Sequence, residues 1–241
     1  MNYQEYLELQ HKIVPGLRFN QEIYADTLDA LVKQDDVWLD AGCGRRILHQ
    51  WSPVQREREL VERARLVTGC DIDLNGIRQH RSLSRVAVAD LGMLPYASES
   101  FSLITCNVVI EHLRQPARVF NEFARVLRPG GRLLVHTPNA TSHFVLVSRI
   151  LPRRAKLRLD GRAADEIFPT EYRANTCRTL GRLMKDAGLT EQSFEYLSSV
   201  ASLQNFWVLA SLELLWIRLT RLAPLRRFQV SILAIYRKDG C

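Results

Sequence analysis

Five short apolar runs punctuate the first 140 residues, and their order constrains the fold more than any other feature. They are Val37 to Asp40, Leu66 to Asp71, Val86 to Asp90, Phe101 to Asn107 and Arg132 to Thr137. Runs of this length, rich in Val, Leu and Ile, read as buried parallel strands. Helix-like segments lie between them. Asp26 to Val32 and Gln55 to Arg65 are two. Ala117 to Leu127 is a third, with Val119, Phe120, Phe123, Val126 and Leu127 on one face and a stop at Pro129-Gly130-Gly131. Strand–helix alternation argues for an α/β sheet with helices on both faces. After Thr137 the rhythm breaks. Residues 138–174 read as an inserted helical and loop region, and Asn175 to Ala187 as a helix stopped by Gly188. Leu189 to Leu197 and Phe228 to Tyr236 read as two late strands around an apolar helix from about Ser202 to Leu222. Such a pair closes an open sheet with an antiparallel edge. The chain is expected to be one domain, 1–241, with a core over 35–140 and elaborations over 138–174 and 198–227.

Composition narrows the class. At 241 residues, with 46% apolar and 24% charged, the chain can bury a real core and is neither disordered nor fibrous. Five cysteines without a C-x-x-C pair exclude a disulfide scaffold and most zinc modules. Cys43, Cys70 and Cys106 lie at strand-like runs, where a thiol behaves as a small hydrophobe. MNYQEYLELQ has no basic segment followed by an apolar one, so it does not read as a signal peptide. The most apolar stretch, Phe206 to Ile217, is too short to span a bilayer and contains Glu213. A cytoplasmic protein is expected. The net charge of +7 points to a solvated basic surface or an acidic partner.

The first strand ends Asp40-Ala41-Gly42-Cys43-Gly44. A glycine turn there lets a ligand approach the backbone. A dinucleotide fingerprint needs a third glycine to seat a pyrophosphate on a helix N-terminus. Here Arg45, Arg46 and Ile47 follow instead, and the acid inside the turn would repel a pyrophosphate and suit a cation. Asp71 closes the second strand, where an acid accepts ribose hydroxyls. Asp90 closes the third, where a carboxylate accepts from an adenine amino group. Adenine, ribose and a cation together outline S-adenosylmethionine. Each acid alone also reads as a solvated strand-end carboxylate.

These residues, with Gly69-Cys-Asp71-Ile-Asp73, Ala89-Asp90-Leu91, Leu94-Pro95-Tyr96, Glu111-His112-Leu113 and Arg125-Val-Leu-Arg-Pro-Gly-Gly131, resemble class I S-adenosylmethionine-dependent methyltransferases. The resemblance is nearest to the branch of ubiquinone- and menaquinone-pathway enzymes, and covers about residues 35 to 140. It implies a Rossmann-like, doubly wound seven-stranded sheet with the last strand antiparallel. It implies that Asp40, Gly42, Cys43 and Gly44 line the methionine end, that Asp71 binds the ribose, and that Ile72 lies against the adenine. Asp90 and Leu91 would hold the adenine edge, and Asn107 would border the transferable methyl. Two departures stand out: Arg46 where a third glycine is frequent, and Ser102 where an acid is usual. Metal-dependent members carry Glu-x-x-Glu-His. Here Val108 takes the first ligand position and coordinates nothing, so no catalytic metal is expected.

An oxygen nucleophile needs a base. His112 is the first candidate, and its other reading is a histidine that buttresses the next helix. His136 is the second; because it lies inside a strand-like run, a satisfied core histidine is the favoured reading there. Asn139, Tyr172 and Arg173 are candidates for the acceptor pocket. Arg149 to Arg158 and Arg218 to Lys238 are basic and free of acids, and each adjoins an apolar helical segment. That pattern fits an interfacial helix on anionic lipid; the other reading is a core helix with a basic rim. The sequence therefore reads as an O-methyltransferase of a small molecule, quinone-like, lipid or lipid-linked glycan, and as peripheral at the inner membrane face if the basic segments bind lipid. The alternatives are an RNA methyltransferase, which lacks the metal glutamate and an aromatic-basic platform, and a non-catalytic binding subunit.

Overall fold

The computed structural model describes residues 2–150, 169–201 and 206–240. Seven strands form one sheet in the order β3-β2-β1-β4-β5-β7-β6, with the last strand antiparallel. They are β1 (Val37–Ala41), β2 (Leu66–Asp71), β3 (Val86–Val88), β4 (Phe101–Asn107), β5 (Leu127–Pro138), β6 (Leu189–Leu197) and β7 (Ser231–Lys238). The described helices are α1 (Tyr3–Ile13), α2 (Asn20–Leu31), α3 (Val54–Arg63), α4 (Leu74–Arg78), α5 (Pro116–Val126), α6 (His143–Ile150), α7 (Cys177–Asp186) and α8 (Trp207–Thr220).

β1 is the pivot. It pairs in parallel with β2 on one side and β4 on the other. The chain winds outward to β3 and then crosses to β4, which places a topological switch point at the carboxyl end of β1. Ligands of open α/β sheets bind at that crevice. Trp38, Leu39, Leu103 and Ile104 are fully buried, as strands covered on both faces require. In α5 the stripe Val119, Phe120, Phe123 and Val126 is buried, each side chain contributing about 1.5–3 kcal/mol. Cys43, Cys70 and Cys106 are buried free thiols.

The sequence reading holds for the seven strands and the antiparallel last one, and differs in detail. β3 is only three residues, and Ala89 and Asp90 lie beyond it. Pro129-Gly130-Gly131 stops α5 but sits inside β5, which begins at once after the helix. An irregularity opposite Phe101 and Leu103 absorbs it, with Gly130 at φ +75°. Thr176 caps α7, its side chain accepting Thr179 N–H at 3.2 Å.

The chain divides into two compact units. One holds the described residues of Tyr24–Thr137, Phe168–Glu195 and Ile232–Cys241, and contains the sheet. The other holds those of Met1–Ile23, Pro138–Ile167 and Tyr196–Ser231. In the second, Tyr6, Val14 and Leu17 pack with Ala201, Ala210, Leu214 and Ile217 of the α8 region. The basic run Arg149 to Arg158, like the middle of the 138–174 segment, lies outside the described side chains.

Candidate active site

β1 runs into a turn in which Gly42 and Gly44 take left-handed backbone, at φ +76° and +49°. L side chains are strained there. At Gly42 space also forbids one, because a Cβ would lie 2.3 Å from Val109 Cγ2. The turn is tied to β2. Gly42 and Cys43 N–H donate to the Cys70 carbonyl at 2.7 and 3.1 Å. Gly44 N–H donates to Asp71 Oδ2 at 2.9 Å, and Asp73 N–H to Asp71 Oδ1 at 2.9 Å. Asp71 is thus held at the lip of the turn, with lone pairs left on both oxygens for hydroxyl donors. Cys43 contributes backbone only. Its thiol packs on Gly69, and burial pushes its pKa far up.

Asp40 lies beneath this turn and is buried. Thr105 Oγ1 donates to Asp40 Oδ1 at 2.6 Å and accepts Trp38 Nε1–H at 2.8 Å. Desolvation raises Asp40 to about 7, against the lowering by Thr105, with Glu57 and Asp71 adding repulsion. A cation near the turn would recover the carboxylate. After β2, Ile72 is 68% exposed, an apolar side chain held out to solvent beside Asp71. After β3, Asp90 Oδ1 accepts Gly92 N–H at 2.8 Å, and Leu91 is buried under that turn.

The ends of β4 and β5 carry the next group. Asn107 and His136 are register partners, and His136 Nδ1–H donates to Asn107 Oδ1 at 2.8 Å. The buried His136 ring stacks on Tyr24 at 5.7 Å between centroids. Burial pushes its pKa down to about 4. A ring so desolvated is a weaker base than a free imidazole, and its Nδ1–H holds Asn107 in place.

Val108 leaves β4 at φ +58°, which is rare for a β-branched residue. The chain then enters a single 3₁₀ turn, Ile110–His112. Glu111 is buried and His112 is partly exposed. Thr137 Oγ1 donates to Glu111 Oε2 at 3.1 Å, and Asn175 Nδ2 donates to Thr137 Oγ1 at 2.6 Å. Desolvation raises Glu111 to about 7. His112 Nδ1 lies 2.8 Å from the Pro169 carbonyl, which only accepts, so Nδ1 carries the hydrogen. Nε2 is then the basic nitrogen, 3.9 Å from Glu111 Oε1. Glu171 and Tyr172 N–H bind the Glu111 carbonyl at 2.6 and 3.1 Å, Tyr172 in left-handed backbone at φ +51°. Arg173 is exposed and paired with Glu171 at 3.3 Å.

Asn139 stands apart from the expected acceptor set. Its amide donates to the Arg227 and Gln229 carbonyls at 2.8 Å each, and its oxygen accepts from Thr141. Both donor hydrogens are spent on backbone, so Asn139 fixes a loop. Glu111 and Thr137 are the groups the sequence reading missed as a pair. The Glu-His dipeptide was visible, but its partner lies in another strand. Among the described residues, no three His, Cys, Asp or Glu side chains gather as a metal site.

Residues 39–135 match the family model described as a methyltransferase domain. Over those residues the chain is similar to methyltransferase domains. A demethylmenaquinone methyltransferase of Corynebacterium kroppenstedtii is 31% identical over 155 residues, covering 58% of this chain and 65% of the relative. A ubiquinone biosynthesis O-methyltransferase of Xanthomonas oryzae pv. oryzae is 30% identical over 131 residues, covering 48% and 52%. The chain thus spans less than two thirds of these relatives. Among solved structures, an S-adenosylmethionine-dependent methyltransferase from Mesorhizobium loti aligns with TM-score 0.58 at 18% identity, covering 88% of this chain and 96% of that one. Geranyl diphosphate C-methyltransferase from Streptomyces coelicolor, solved with Mg²⁺, geranyl diphosphate and S-adenosylhomocysteine, aligns at 0.57 and 18%, covering 90% and 80%. At that identity these two support the fold of the methyltransferase domain and nothing finer.

Proposed function

We propose that the protein is a methyltransferase that takes its methyl group from S-adenosylmethionine and delivers it, without a metal, to the oxygen of a small quinone-like or lipid acceptor. The observation that carries the reading is the row of Asp40, Asp71 and Asp90 at the ends of three neighbouring strands, with left-handed glycines between the first two. The residues fit the cofactor. Gly42, Cys43 and Gly44 offer close backbone, Asp40 offers a buried carboxyl for a cation, and Asp71 offers lone pairs for a ribose. Ile72, Asp90 and Leu91 would border the adenine, and Asn107 the methionine end. When bound, S-adenosylmethionine supplies an electrophilic methyl on a sulfonium.

The chain's own residues supply alignment and a proton acceptor. His112 Nε2 accepts the hydroxyl proton, while the Pro169 carbonyl holds the ring in the required tautomer. The resulting imidazolium is held by Glu111, whose carboxylate strengthens as that positive charge appears 3.9 Å away. Tyr172 and Arg173, on the strand of chain bound to the Glu111 carbonyl, would line the acceptor. The names of the matched relatives support the acceptor class.

The test is incubation with methyl-labelled S-adenosylmethionine and hydroxylated quinone precursors, followed by organic extraction. Label should enter the extract, persist after chelation, and fall by about 10²-fold in His112→Ala. Label found only in RNA or protein, or activity that chelation abolishes and a divalent ion restores, contradicts the reading.

A further inference from the structure

α8 is apolar on opposite faces. Ala210, Leu214 and Ile217 are buried against the α1 region, including Tyr6 and Val14. Val208, Leu212, Leu215 and Leu219 stand at i, i+4, i+7 and i+11, which is one helical stripe. All four are exposed, by 60%, 58%, 47% and 47%. Phe206 and Trp207 at the helix start and Leu222 just past its end extend the patch. A helix that is hydrophobic all round belongs in a core or in lipid, and contiguous exposed apolar patches mark interaction sites. Glu213 is the helix's one acid. It lies on the inner side, 9% exposed, against His143 at 3.4 Å. Thereafter residues 214–238 contain no acid; Arg218 and Arg221 donate to the Ile13, Pro15 and Gly16 carbonyls, and the exposed Arg226 and Arg227 follow just past the helix.

We propose that this outer face of α8 lies on an anionic lipid bilayer, with the leucine stripe in the acyl boundary and the arginines on the headgroups. The charge selects the occupant. A second copy docked face to face would bring Arg226 and Arg227 of both copies together, four like charges that oppose association. A lipid phosphate layer neutralises them instead. The helix is about 21 Å long at 1.5 Å per residue, and no described helix is long and apolar enough to cross a membrane, so it would lie in the interface plane.

The inference stands independently of the methyl-transfer reading. It is tested by co-sedimentation with vesicles of phosphatidylcholine alone or with phosphatidylglycerol, at low and high salt. The full chain should bind the anionic vesicles, at least about tenfold more tightly than the neutral ones, and lose binding at high salt. Leu212→Ser/Leu215→Ser/Leu219→Ser and, separately, Arg226→Glu/Arg227→Glu should each weaken binding about tenfold or more. Unchanged circular dichroism and S-adenosylmethionine affinity in both variants show that fold and cofactor site are intact. No binding at low salt, equal binding by the leucine variant, or a dimer that the leucine variant converts to monomer overturns the proposal.

Discussion

In the proposed cofactor site, Asp40 would couple affinity to pH. In the empty protein both it and Glu111 are raised by burial to about 7. A carboxyl that holds its proton more tightly folded than unfolded contributes stability that is complete below about pH 4 and is lost as pH rises through 7. The empty protein should therefore melt at lower temperature at pH 7.5 than at pH 5, with part of that slope removed in Asp40→Asn. S-adenosylmethionine is a cation and favours the carboxylate, so its affinity should rise with pH by up to about tenfold per unit below 7 and level off above it. Calorimetry across that range checks the sign; an affinity that falls with pH contradicts the placement of Asp40. The two glycines give a paired comparison. Gly42→Ala combines a left-handed residue with a 2.3 Å clash and should cost about 2–4 kcal/mol in urea unfolding. Gly44→Ala brings a Cβ only to ordinary contact with Asp71 Oδ2, at 4.0 Å, and should cost about 1–2 kcal/mol.

At the level of elements, the segment after Gly44 explains how the fold tolerates Arg46. No helix follows the turn directly, and α3 begins only at Val54. The loop between is anchored by Glu57, which is fully buried. It accepts Leu48 N–H at 2.8 Å, Ser82 Oγ at 2.8 Å, and Arg81 Nε and Nη2 at 3.0 and 2.5 Å. Glu57→Ala strands the Arg81 charge and the Leu48 N–H, and should cost about 3 kcal/mol or more in chemical unfolding. A loss under about 0.5 kcal/mol would remove the anchor from the account. The missing glycine was legible in the sequence; the anchor was not, because its partners are spread over more than thirty residues from Leu48 to Ser82. Ser102 shows the same limit. Where an acid is usual, its hydroxyl donates to Asp36 Oδ1 at 2.7 Å, and Asp36 itself pairs with Arg132 at 2.7 Å. A neighbouring strand's acid does the work that the local position suggested was missing.

For the whole molecule, the strands themselves were legible because apolar runs, glycine turns and strand-end acids are local signals at regular spacing. The same local signals single out Asp40, Asp71 and Asp90 as the candidates for the cofactor site. The surroundings of the two candidate histidines were not legible. His112 and His136 look alike in sequence, and only burial and the partners of each ring separate a tautomer held by Pro169 from a neutral ring beside Asn107. Asn139 was misread for a related cause, since the carbonyls it serves lie some ninety residues away. The +7 charge acquires a location in the described Arg218–Arg227 region, while the strand ends of the sheet present acids. The central claim is that those strand ends hold S-adenosylmethionine. Calorimetric titration of the purified chain with S-adenosylmethionine tests it most directly. The account predicts one site per chain, weakened about tenfold or more in Asp71→Ala. No binding at millimolar ligand, or an affinity that Asp71→Ala leaves unchanged, would contradict it.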